Sequence, residues 1–100
     1  MITAEVKKEF QKVVATIRKE LNAAAGKAYE YPKAMMTGQQ MQKNTATVNC
    51  GGSFTRRDQV LQHPAFIAFC EKHHATAEAE RVPYGSYTQH QLRLRFQEVQ

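Results

Sequence analysis

The chain has no tryptophan, one aspartate (Asp58), two cysteines and three prolines among its 100 residues. Secreted domains of this size usually rest on several disulfides, so Cys50 and Cys70 alone point to a reducing compartment. No apolar run approaches the roughly 18–20 residues of a membrane span. The amino terminus turns charged at Glu5, Lys7 and Lys8, without the continuous apolar stretch of a secretory signal. These absences predict an intracellular, cytoplasmic protein that does not enter membranes. Acidic residues are scattered, and on a helix the nearest pair, Glu78 and Glu80, diverges. There is no Walker loop, no G-x-G-x-x-G, no H-E-x-x-H, and no nucleophile elbow around Ser53 or Ser86.

What is present suits one small domain spanning 1–100. Apolar residues make up 42% and charged residues 23%, which excludes a disordered polyelectrolyte. Val6, Phe10, Val13, Val14, Ile17, Leu21 and Ala24 recur at three- and four-residue intervals, predicting a long amphipathic helix within 1–26. Thr3 is placed to cap its start and Gly26 to end it. Periodicity then fades over 27–44, which reads as an irregular connection. In it, Pro32 can open a short helix through Met36, and Gly38–Gln42 suits a mobile link. Thr45–Cys50 alternates like a strand that Gly51 and Gly52 break. Thr55–Asp58 has capping-box spacing for a short helix interrupted at His63-Pro64. A second helix is expected from Pro64 to about Glu80, burying Phe66, Ile67, Phe69, Cys70 and Ala77. Val82–Gly85 reads as a turn. Leu92, Leu94 and Phe96 then alternate with Arg93 and Arg95, which predicts a strand, although 88–99 also tolerates a helix. The expected fold is α+β: a long amino-terminal helix, then a strand–helix(–helix)–strand unit over 45–100 whose small antiparallel sheet packs on helices.

Two motifs overlap between Cys50 and His63. Cys50-Gly51-Gly52-Ser53-Phe54-Thr55-Arg56 resembles the C-x5-R anion loop of phosphatases, in which a thiolate attacks phosphorus and arginine holds the oxygens. The resemblance covers seven residues, Ser53 stands where that loop usually has glycine, and Asp58 is too near to act as a general acid from a separate loop. Cys50, Phe54, Val60 and His63 also resemble half of a classical zinc finger, but its other cysteine and histidine are missing. A nonstandard set of Cys50, His63, Cys70 and either His73 or His74 stays open on spacing alone. The reading that follows is a non-enzymatic protein without cofactor, metal or small-molecule substrate.

Fourteen basic residues against nine acidic ones give a net charge of +5. Residues 1–27 hold six basic and three acidic residues, so +3 of the excess lies on the first helix, where lysines commonly serve solubility. More telling are clusters of cations with aromatics, the mixture that tracks nucleic-acid backbones and stacks bases. One cluster is Tyr29, Tyr31 and Lys33. Apart from the aromatics, Arg56-Arg57 is a second group, where positive charge at a helix start opposes the dipole. The third is Arg93 and Arg95 with Tyr84, Tyr87 and His90. The sequence therefore predicts a basic binding protein acting on nucleic acid or a nucleic-acid-processing complex. The alternative is a protein–protein inhibitor or adaptor of mobile-element or phage type that binds a host complex without touching nucleic acid. Met35, Met36 and Met41 would suit such a contact.

Overall fold

The computed structural model describes residues 1–97. Its α+β architecture places helices on one face of a four-stranded antiparallel sheet. Helix α1 (Ala4–Ala25) follows the apolar stripe, burying Phe10, Val14 and Ile17. Thr3 Oγ1 accepts from the Val6 amide at 3.3 Å, and Gly26 closes the helix at φ +66°. Strand β1 (Lys33–Met35), helix α2 (Gly38–Gln42) and strand β2 (Thr45–Asn49) follow. Then come α3 (Phe54–Gln62), α4 (Pro64–Lys72), β3 (Ala75–Tyr84) and β4 (Tyr87–Phe96).

The sheet order is β1-β2-β4-β3, so β3 forms one edge and the three-residue β1 the other. Register explains the two faces. Ala46 pairs with Leu94 and Val48 with Leu92, and all four are buried against the helices with Val60, Phe66 and Phe69. Thr47 pairs with Arg93 and Thr45 with Arg95 on the outer face, following the period of two. Phe10 and Phe69 join α1 to α4, their rings 5.6 Å apart. Glu20 meets His63 and Glu9 meets His73 at 2.7 Å, so the two helices run antiparallel and are tied near both ends of α4.

Several expectations are corrected. The span 27–44 is not irregular throughout, because it holds β1 and α2. Residues 33–35 are a strand rather than a helix, since they find β2 as a partner. Gly38–Gln42 is a helix with a capping box: Thr37 Oγ1 accepts from the Gln40 amide, and Gln40 Oε1 accepts from the Thr37 amide. Ser53, not Thr55, caps α3, accepting from the Arg56 amide at 3.1 Å. The helix begun at Pro64 stops at Lys72 instead of Glu80, with His74 left-handed at φ +52°. Ala75–Tyr84 pairs along its full length with β4, so Ala77 belongs to a strand and Val82–Tyr84 lies before the turn. Gly85-Ser86 makes that turn, Gly85 at the positive φ (+62°) that tight hairpins favour. Ile67, expected inside, is 43% exposed. Residues 87–96 are strand; the end of the ambiguous span, Val99, lies outside the described residues.

Candidate nucleic-acid interface

The two cation–aromatic clusters and the Arg56-Arg57 pair meet different fates. Arg93 Nε donates to Glu80 Oε1 at 2.7 Å, and Arg95 Nε stands 3.9 Å from Glu78. On a helix Glu78 and Glu80 would diverge. On β3 they share one face, opposite Gln91, Arg93 and Arg95. The arginines of β4 are therefore matched by acids of the same sheet. Tyr84 and Tyr87 pair at the end of the hairpin, ring centroids 5.9 Å apart. His90 alternates onto the opposite face, toward α3.

Arg57 is also satisfied internally. It contacts Asp58 Oδ1 through Nε at 3.1 Å and Nη2 at 3.0 Å, and its Nη1 lies 3.4 Å from His90 Nδ1. Arg56 differs. Among the described residues no carboxylate pairs with it. Its guanidinium lies 5.1 Å from the Tyr29 ring centroid, a cation–π contact, and its Nη1 is buried without a hydrogen-bond partner. Among the described residues only Asn22 Oδ1 shares that buried, unpartnered status.

Tyr29, Tyr31, Cys50, Gly52, Ser53 and Arg56 line one cleft of about 310 Å³. Its aromatic wall is held by α1: Asn22 Nδ2 donates to the Tyr29 carbonyl at 2.9 Å, and Arg18 Nη1 to the Pro32 carbonyl at 3.1 Å. Lys33 lies 5.4 Å from the Tyr31 ring centroid and 3.4 Å from Glu30. Gly51 lies between two lining residues, Cys50 and Gly52. At φ +67° it sits so close beneath Tyr31 that a Cβ there would stand 2.9 Å from the ring. Asn49 Oδ1 accepts from the Gly51 amide at 2.8 Å, and the Gly51 carbonyl accepts from His90 N at 2.7 Å. The loop is thereby fastened to β4.

Cys50 lies under this loop, its thiol 3.8 Å from the Val48 carbonyl. Burial pushes the thiol up to about 12, and the nearby Arg57 and Arg56 charges offset only part of that. A phosphatase-type nucleophile needs the opposite shift. Cys70, on α4, is raised to about 11 by burial. His63 and His73 are engaged by Glu20 and Glu9, and among the described residues no three His, Cys, Asp or Glu side chains group to hold a metal ion. The set Cys50, His63, Cys70 and His73 or His74 is not brought together.

Residue-type patterning misses one group. Phe54 opens α3 with its ring 61% exposed and edge-on to His90, centroids 6.1 Å apart. An aromatic directly after a Gly-Gly-Ser loop was the available signal. A second, apolar groove of about 450 Å³ lies between α4 and β3, lined by Leu61, Phe66, Ile67, Cys70 and Ala77 among others. No helix among the described residues is long and apolar enough to cross a membrane. Comparison with protein-family models, curated proteins and solved structures returned no match.

Proposed function

We propose that this chain is a small basic binding protein, cytoplasmic and without catalytic activity, that engages nucleic acid or nucleic-acid-processing machinery through the Tyr29–Tyr31–Arg56 cleft. The observation that carries the reading is Arg56: a guanidinium with no acidic partner among the described residues, stacked on an exposed tyrosine, with one buried nitrogen lacking an acceptor. Where Arg56 lines the cleft its charge can receive a phosphate, and a base can stack on the exposed part of the tyrosine. The free thiols of Cys50 and Cys70 suit a reducing compartment.

The test is fluorescence anisotropy with labelled oligonucleotides across a salt series. The native protein is expected to bind with a steep salt dependence. Arg56→Ala should weaken binding about 10-fold or more, while Arg93→Ala, whose charge Glu80 already offsets, should change it less than about 2-fold. No binding at low salt, or equal loss from both variants, overturns the proposal.

The α4–β3 groove favours a second reading, the inhibitor or adaptor that binds a protein complex. Ile67 is exposed there beside Leu61 and Phe66. Such an interface would be weakly salt-dependent, would be lost in Ile67→Glu, and would ignore Arg56→Ala.

A further inference from the structure

We infer that the first turn of α3 divides a single-stranded nucleic-acid site in two, with Tyr29 and Phe54 as separate stacking platforms for unpaired bases. This rests on the nucleic-acid reading of the cleft and names the strand form it takes. Phe54 and Arg56 are two residues apart on α3, about 200° around a helix of 3.6 residues per turn. The contacts follow that rotation. Arg56 reaches Tyr29 on one side, while Phe54 and Arg57 reach His90 on the other.

Both platform rings are open to solvent, Tyr29 at 45% and Phe54 at 61%. Of the other phenylalanines, Phe10, Phe66 and Phe69 are buried in the core and Phe96 packs partly buried against it. Beside the Tyr29 platform the cleft lining includes Gly52. Gly52 presents no side chain, and a Cβ there would meet only the Thr88 carbonyl, at 3.9 Å. Arg56 lines the same cleft. The acid on the same turn, Asp58, is already held by Arg57.

Spacing selects the strand form. A helix with its side chains is about 10–12 Å across, so rings on opposite sides of α3 are separated by several times the ~3.4 Å rise of a duplex. Paired bases cannot splay that far, whereas an unpaired strand can place one base on each ring and its backbone across Arg56.

The experiment compares a labelled single-stranded oligopyrimidine with the same sequence annealed to its complement, binding to the native chain, Phe54→Ala, Phe54→Tyr and Arg56→Ala. The single strand is expected to bind at least about 10-fold tighter than the duplex. Phe54→Ala should lose about 5- to 100-fold in single-strand affinity and Phe54→Tyr should keep it. Thermal melts followed by circular dichroism check that each variant is folded. If the duplex binds as well as the single strand, or Phe54→Ala binds normally while Arg56→Ala does not, the two-platform site is overturned and the nucleic-acid reading stands. If neither form binds the native chain, both fall.

Discussion

Arg93 and Gln91 together close on Glu80: Arg93 Nε donates to one carboxylate oxygen at 2.7 Å, and Gln91 Nε2 to the other at 2.8 Å. The Arg93 hydrogen bond is the main cause holding the Glu80 carboxyl below its ordinary 4.5. A lowered native value means the unfolded chain takes up the proton first as pH drops. The pair's contribution is then complete above pH 4.5 and is lost as pH falls through Glu80's lower native value. Arg93→Ala should therefore cost about 1 kcal/mol at pH 7, with the difference shrinking toward zero in acid. Urea melts of both proteins over the acid range measure this, and a difference independent of pH would refute it.

Gly51 is required twice, for its left-handed backbone and for the Tyr31 ring against it. Gly51→Ala should destabilise the fold by about 1–2 kcal/mol from the backbone alone. It should also displace Tyr31, visible as a shift of the tyrosine ring resonances. Gly38, where an added Cβ meets nothing within 4 Å, supplies the control.

The two thiols make stability fall in alkali. Native Cys50 and Cys70 are raised to about 12 and about 11, against an ordinary 9.0. Above pH 9 the unfolded chain loses these protons while the native chain keeps them, so unfolding becomes progressively easier. Each thiol steepens the decline by up to about 1.4 kcal/mol per pH unit. Cys50→Ala should flatten the slope between about pH 9 and 11. The native protein should also react with an alkylating reagent far more slowly than the urea-unfolded chain, as mass spectrometry at pH 8 can follow.

Phe10 is fully buried and packs on Phe69 between α1 and α4. Phe10→Ala should cost about 3–5 kcal/mol through lost burial and the cavity left behind. Ile67→Ala, on the same α4 but exposed, should cost under about 1 kcal/mol. Chemical denaturation of the two variants distinguishes them.

How much of this was legible varied with physical cause. Helix α1 was plain, because Val6 to Ala24 keep one stripe and Thr3 and Gly26 cap it. The inward face of β4 was plain too, since Leu92 and Leu94 alternate with arginines. Ala75–Glu80 misled because alanine and glutamate favour helices, and the pairing that overrides them comes from β4. Nor did a glycine mark the end of α4; His74 takes the left-handed position instead. Strand β1 is three residues long, too short to show a period. Helix α2 did carry a signal, the Thr37-x-x-Gln40 box. At the candidate site, Tyr29 and Tyr31 were legible as one cluster with Lys33, but only the fold brings Arg56 to them. Asp58 stands next to Arg57 in the sequence, whereas the acids that offset Arg93 and Arg95 could be assigned only once Glu78 and Glu80 shared a strand face.

The ten-residue edge strand β3 has a consequence for behaviour in concentrated solution. A long free edge invites another chain to add a strand, the first step of aggregation. Glu78, Glu80 and Arg81 crowd this edge strand with charge, and Pro83 withholds one amide from it. A neighbouring molecule meets desolvation and an incomplete ladder there, so the sheet stays four strands wide as the protein is concentrated, and its sedimentation coefficient should stay nearly constant.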